Sequence, residues 1–252
     1  MTTDYLALAR SLAHSLHLQV PPIAVCLTNH VPAGVPAFTG RAPAGCVFWQ
    51  EAARGAFATS AGDHDLCAIG TFTHNLDATA AHEADRRDAL RVFADLGYVR
   101  PQDIPLIPVL AERRRHVVYA PLAATPLPPD VVVLFVRAAQ TLVLVEAAES
   151  VDGGRPPAMG RPACAVVPQV VNQNAAALSL GCCGARAYLD VLADDVAIFA
   201  LPGARLDAYA ARIVELAKAN SVLAAFHTLR RQDVEAGGNP TVKQSLERLS
   251  AR

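Results

Sequence analysis

The first residues of the chain alternate apolar and polar positions with the period of an α-helix. Between residues 4 and 18, apolar side chains recur every three or four positions, at Tyr5, Leu8, Leu12 and Leu16. This spacing predicts an amphipathic helix. The proline pair at 21–22 ends the pattern, and the apolar run that follows at residues 23–27 predicts a buried strand.

Further along, runs of β-branched residues are separated by stretches with helical spacing. The runs predict strands at residues 57–60, 116–119, 131–136 and 196–201. The spaced stretches predict helices that open at Cys46, cover residues 84–96, pass through Leu142, and cover residues 172–178 and 206–229. Because strands and helices interleave, we expect an α/β (or α+β) fold.

The order of features in the first part of the chain is repeated in the second part. Each part opens with a proline pair before a strand, and each then has a cysteine that opens a helix, Cys46 or Cys164. A second cysteine follows in each part, Cys67 or Cys182, with a glycine shortly after it. Sequence identity between the parts is low, so chance similarity is the alternative explanation.

From this repetition we predict a single domain over residues 1–252, built from two pseudo-repeated halves. The halves cover about residues 20–100 and 116–203, and a C-terminal helix covers about residues 204–230. If the halves are related, the Cys-Gly turns of both come together near a pseudo-twofold junction.

The composition excludes several classes of function. The chain is 52% apolar and 18% charged, with a net charge of −1, and its longest basic run is the three arginines at 113–115. A nucleic-acid partner is not expected, because binding requires a clustered basic face. We find no membrane-spanning run and no secretory signal, and therefore expect a cytoplasmic protein without a membrane partner.

Cysteines in a cytoplasmic protein bind metals or take part in catalysis more often than they form disulfides. Cys26 lies inside an apolar strand and is expected to be a core residue. The other candidates lie beside glycine, proline or polar breaks: Cys46, Cys67, Cys164 and Cys182. Four thiolates at this dispersed spacing could hold a [2Fe–2S] or [4Fe–4S] cluster or a Zn²⁺ ion. The alternative is that they are scattered core thiols.

An iron–sulfur cluster, above all [4Fe–4S], is favoured over zinc, since structural zinc sites usually take ligands at short spacing and no such pair is present. Cys183 directly follows Cys182, and neighbouring residues do not easily ligate one metal. We therefore expect Cys182 to be the ligand, with Cys183 as its substitute.

Two further side chains are candidate catalytic residues. His64, three residues before Cys67, could hydrogen-bond a ligand, act as a ligand or move protons near neutral pH. Its alternative is a polar turn in which Asp63 or Asp65 caps a helix. Arg186, after the Cys-Cys-Gly turn, could bind an anionic group or offset thiolate charge. Its alternative is a structural salt bridge to Asp190, Asp194 or Asp195.

Several of these segments together resemble the DUF169 family over most of the chain, from about residue 21 to about residue 203. The segments are the strand at 21–25, Cys46 with Arg54-Gly55, Asp63-His-Asp-Leu-Cys67, Val118-Tyr-Ala-Pro-Leu122, 129–135 with Gln140, and Ser179-Leu-Gly-Cys-Cys-Gly-Ala-Arg186. The resemblance implies a prokaryotic, cytoplasmic, single-domain α/β protein. It also implies that Cys46, Cys67, Cys164 and Cys182 are cluster ligands.

We therefore expect an enzyme that uses a Cys-ligated [4Fe–4S] cluster on a small molecule, as a Lewis-acid lyase, a desulfidase-like enzyme or an oxidoreductase. Three ligands would leave one iron open, whereas four would close the cluster. The alternative is a non-catalytic protein stabilised by Fe–S or Zn²⁺ that binds, carries or senses a ligand. The apolar composition leaves room for a homodimer but does not require one.

Overall fold

A seven-stranded mixed sheet forms the centre of the computed structural model, which describes residues 3–189 and 193–251. The strands are β1 (Ile23–Thr28), β2 (Phe57–Ser60), β3 (His116–Pro121), β4 (Val131–Val136), β5 (Ala158–Met159), β6 (Ala177–Ser179) and β7 (Ala197–Pro202). The helices are α1 (Tyr5–Leu16), α2 (Val47–Glu51), α3 (Ala68–Thr73), α4 (Ala80–Asp95), α5 (Ala138–Val151), α6 (Val166–Gln173), α7 (Cys183–Tyr188), α8 (Leu206–Glu235) and α9 (Val242–Ser250).

The strand order in the sheet is β2-β3-β1-β4-β7-β6-β5. All neighbouring strands pair antiparallel except β5 and β6, which pair parallel. Helices connect most of the strands, so the mixed α/β fold class predicted from the sequence is confirmed.

Both faces of the sheet are covered, which explains why all six residues of β4 are buried. Successive side chains of a strand point to opposite faces. On β1, Ala24 and Cys26 therefore belong to the core that α1, α5 and α8 complete. Ile23 and Val25 belong to the core on the other face, with residues of α2, α6 and α7. The helices that follow the candidate ligands thus share one face of the sheet.

The strand order has the same pattern on either side of its centre. β1 and β4 pair antiparallel in the middle, β3 and β7 lie outside them, and β2 and β6 lie outside those. This arrangement is what two related halves would produce. The sequence grouped residues 116–121 with the second half, whereas β3 lies between β1 and β2 and so belongs spatially to the first.

Most segments differ from their predicted bounds by only a few residues, but one changes type. A helix was expected at residues 172–178, whereas α6 ends at Gln173 and the chain then forms β6. Asn174 adopts a left-handed conformation with φ of 48°, which ends a helix. The small apolar residues that follow pair with β7.

The chain ends in two helices that pack on each other, α8 and α9. α8 runs past the predicted end at residue 229 to Glu235. Within the residues that the structure describes, no helix has both the length and the apolar character that crossing a membrane requires.

Candidate functional site

The four candidate ligands come from four separate elements on one face of the sheet. Cys46, Cys67 and Cys182 are the residues that immediately precede α2, α3 and α7, respectively. Cys164 lies in the short 3₁₀ turn that leads into α6. All four thiols line a single cavity. The fold therefore brings together the residues that the sequence singled out.

The cavity has a volume of about 790 Å³, and the four thiols are part of its lining. Apolar side chains of α4 and of residues 98–108 also line it, among them Leu90, Phe93 and Ile107, and we call this set the outer wall. Clefts of roughly 300–1,000 Å³ with mostly apolar walls are typical of small-molecule sites. No local pattern indicated this wall, because its residues are far from the cysteines along the chain.

Burial favours the protonated forms of three of the thiols, Cys46, Cys67 and Cys164. Burial, together with the nearby charges of Cys182 and Cys67, raises the pKa of the Cys46 thiol to about 12. Burial likewise raises the pKa of Cys164 well above its usual value, again with a contribution from Cys67. Each thiol therefore lies within electrostatic reach of the others. Only a positively charged group bound among them would favour the thiolate forms.

His64 is fully buried and packs beside Cys67. A Cβ atom placed on Gly70 would lie 3.0 Å from Cys67 Sγ and 3.3 Å from His64 Nδ1. One placed on Gly45 would lie 3.1 Å from His64 Nδ1. The two glycines thus leave the space that the imidazole and the sulfur occupy. The Asp63 side chain accepts hydrogen bonds from Ser60, so the helix-capping alternative for this turn also holds.

Burial lowers the pKa of His64 to about 3, so the ring is neutral near pH 7. Its Nε2 lies 3.5 Å from the hydroxyl of Thr59, while its Nδ1 finds no hydrogen-bond partner in the part of the chain that the structure describes. This environment favours hydrogen bonding to the site over proton transfer by His64 near neutral pH. Such a role was one of the three that the sequence left open.

Further buried polar groups accompany His64 on the thiol face, and the sequence did not single them out. Thr73 donates from its hydroxyl to Cys164 Sγ at 3.3 Å. Burial, followed by the charges of nearby Cys164, Cys67 and Cys46, raises the pKa of Tyr119, while its contact with Thr59 acts the other way. His74 Nε2 has no hydrogen-bond partner within the described residues. His64, His74 and Tyr119 are not among the residues that line the cavity.

Arg186 does not line the cavity. Its guanidinium donates to the backbone carbonyls of Leu180, Ala193 and Val196. Among the salt-bridge partners considered for it, Asp195 pairs with Arg137 instead, and Asp190 lies outside the described residues. Arg186 therefore ties the segments that flank α7 together and so positions Cys182.

The remaining cysteines are placed differently from the four. Cys182 is half-buried, and its sulfur accepts from the backbone N–H of Ala185 at 3.4 Å. Cys183 is exposed, although it also lines the cavity. Cys26 is buried on the opposite face of the sheet, where it packs in the core as expected. Cys182 is thus the better placed of the adjacent pair.

Within residues 3–189 and 193–251, no group of three Cys, His, Asp or Glu side chains is arranged to hold a single metal ion. Tetrahedral zinc with bonds of about 2.3 Å would require sulfurs roughly 3.8 Å apart. The thiols share a cavity without meeting that requirement.

Comparison with known families gives one match. The model of the DUF169 family, described as uncharacterised ArCR, matches residues 11–212 of the 252-residue chain. Neither the curated proteins nor the solved structures contain a match to this chain.

Proposed function

Because the chain belongs to the DUF169 family, whose description names no activity, we propose a function from the thiol site itself. We propose that Cys46, Cys67, Cys164 and Cys182 hold a [4Fe–4S] cluster and that the protein uses it on a small molecule bound in the adjoining cavity. The observation that carries this proposal is that four thiols from four separate elements line one cavity.

The residues present fit such a group. The donor set is all sulfur, which suits iron–sulfur clusters. Several atoms near it are buried hydrogen-bond donors or acceptors without partners, among them His64 Nδ1 and the Tyr119 hydroxyl. Such donors stabilise the negative charge that thiolates and sulfides carry.

The two parts of the site would have separate tasks. A bound cluster supplies Lewis-acid or electron-transfer chemistry. The chain's own contribution is to bind and orient the small molecule against apolar walls that exclude water, such as those of Leu90 and Phe93. Thr73 would hold the Cys164 sulfur in place through its hydrogen bond. A reducing cytoplasm, the location we propose, would keep the thiols available as ligands.

One observation favours the alternative of a carrier or sensor without catalytic activity. His64, the candidate acid or base, is neutral and has no exposed surface. Such a protein would bind the same cluster but would need no proton donor near it. The two functions differ in whether a small molecule bound in the cavity is chemically changed.

The cluster is tested by purifying the full chain without oxygen and assaying iron, zinc and acid-labile sulfide. We expect iron and sulfide in equal amounts and an absorption band near ~400 nm. The variants Cys46→Ser, Cys67→Ser, Cys164→Ser and Cys182→Ser should lower the iron content, whereas the matched control Cys26→Ser should not. A protein that holds zinc alone, or neither metal, would contradict the cluster.

A further inference from the structure

We propose that the outer part of the cavity binds an apolar molecule with a carboxylate group, and that Arg161 is the residue that binds the carboxylate. The binding itself stands on the geometry below. Only the assignment of this molecule as the substrate rests on the proposed function.

The apolar part of the ligand would be held by the outer wall. Leu90 and Phe93 on α4 and Ile107 in the segment after it line the same cavity as the thiols. Leu106 and Met159 also line it, and they are 75% and 56% exposed. Large apolar side chains exposed together around a cavity are typical of a ligand-binding site.

Arg161 is the only cationic side chain among the described residues that line the cavity. Its guanidinium carbon lies 4.7 Å from the centre of the Tyr98 ring, and its Nη2 donates to the Tyr98 carbonyl at 2.5 Å. These two contacts fix the position of the guanidinium. Its Nε and Nη1 make no hydrogen bond within the part of the chain that the structure describes. A planar guanidinium with donors to spare is suited to a carboxylate.

Three carboxylates also line the cavity, and two of them already have partners. Asp103 forms an ion pair with Arg100 at 2.7 Å, and Asp65 lies 3.0 Å from His82 Nε2. Asp85 makes no ion pair among the described residues and, unlike Arg161, has no contact that fixes its position. Arg161 is itself one of the charges that lower the pKa of Asp103, after the hydrogen bond and charge of Arg100. The Nε and Nη1 donors that Arg161 leaves unused are therefore the observation that favours a carboxylate over a cationic ligand.

The chain places Arg161 close to the thiols. Pro162 and Ala163, which also line the cavity, are all that separates it from Cys164. Consecutive Cα atoms are about 3.8 Å apart, so the two Cα atoms are at most about 11 Å apart. A ligand bound at Arg161 would therefore occupy the same cavity that the four thiols line.

The test is calorimetric titration of the full, anaerobically purified protein with three probes of matched shape. These are 4-phenylbutyrate, its neutral amide and 4-phenylbutylamine. We expect the carboxylate to bind about tenfold more tightly than the amide, as one charge-assisted hydrogen bond implies. The variant Arg161→Gln should remove this preference and leave amide binding unchanged. The control Arg91→Gln, which removes a charge from α4 outside the cavity, should keep it.

Three results would overturn the inference: no binding of any probe, equal binding of acid and amide, or a preference for the amine that Asp85→Asn abolishes. Iron and sulfide are measured on the same samples. Carboxylate binding by a protein without iron would keep this inference and reject the proposed function. A protein that contains iron but does not bind the carboxylate would keep the proposed function and reject this inference.

Discussion

The substitution Gly70→Ala tests whether the position of the Cys67 sulfur matters to a bound group. Gly70 lies inside α3. Its φ lies outside the left-handed region, so alanine can adopt its backbone conformation. The added Cβ atom would lie 3.0 Å from Cys67 Sγ and 3.3 Å from His64 Nδ1. One methyl group therefore presses on both side chains at once.

The structure suggests a small effect on stability and a large effect on the site. Alanine is favoured over glycine in a helix by about 1 kcal/mol, whereas overpacking a core typically costs about 1–3 kcal/mol. The free energy of unfolding should therefore fall by at most about 2 kcal/mol. Non-bonded carbons prefer separations of about 3.5–4.0 Å, so the sulfur must move by roughly 0.5–1 Å. Ligand distances in metal sites tolerate only about ±0.2 Å.

The assay is iron and sulfide content per chain after anaerobic purification, with urea unfolding measured in parallel. Gly184→Ala is the matched control. Gly184 lies in α7 shortly after Cys182, as Gly70 lies in α3 shortly after Cys67. A Cβ atom on Gly184, however, would meet nothing within 4 Å. We expect Gly70→Ala to lose most of the iron while remaining folded, and Gly184→Ala to keep the iron content of the unaltered protein.

One result would refute the reasoning. If Gly70→Ala keeps as much iron and sulfide as Gly184→Ala, then the Cys67 sulfur either does not contact the bound group or can move freely. In that case Cys67 would be removed from the ligand set.

Other parts of the structure give three further predictions. Gly203→Ala should abolish folding, judged by circular dichroism, because its Cβ atom would lie 1.7 Å from the backbone oxygen of Pro129; a folded variant would contradict this close approach. Burial lowers the pKa of His64 from 6.5 to about 3 in the folded protein. Between these pH values the unfolded chain binds the proton more readily, so stability that is present above pH 6.5 is lost as the pH falls toward 3. In that range, His64→Leu should therefore reduce the slope of the free energy of unfolding against pH by about 1.4 kcal/mol per pH unit. His227→Gln, which changes an exposed histidine, should leave this slope unchanged. Cys26→Ala should lower the free energy of unfolding by about 1 kcal/mol through lost packing and leave the iron content unchanged, so iron loss would reveal coupling through the sheet.

Short-range sequence features identified the cysteines that line the cavity better than they identified the residues that contact those cysteines. Cys46, Cys67 and Cys182 could be singled out because each precedes a helix beside a glycine or a polar break, and such features are local. The partner of Cys164, Thr73, could not be found this way. The contact between them joins positions 91 residues apart, and only the folded sheet brings them together.

Local patterns also do not distinguish an arginine that binds a ligand from one that holds the backbone. Arg186 after a Cys-Cys-Gly turn has the charge to bind an anion, but an arginine that holds backbone carbonyls looks the same in sequence. Arg161 was not singled out, since nothing near it in the chain indicates that Tyr98 fixes its guanidinium. In both cases the role of the charge depends on contacts between segments that are distant in sequence.

The four thiols fall into two pairs according to their burial. Cys46 and Cys164 are both buried, at 5% and 7% exposure, while Cys67 and Cys182 are both half-buried. The half-buried pair nevertheless differs in its surroundings. Cys67 packs against His64 and leaves no room for a methyl group on Gly70, whereas Gly184 beside Cys182 has open space around it.

This difference bears on whether three or four thiols bind the proposed cluster. A small molecule that approaches an iron atom of the proposed cluster needs space beside it and a cysteine side chain that can move away. Around Cys67, His64 and the close contact at Gly70 fill that space. Around Cys182, there is room at Gly184, and the exposed Cys183 also lines the cavity. If only three thiolates bind the cluster, Cys182 is therefore the one that the structure leaves free to be replaced by a small molecule.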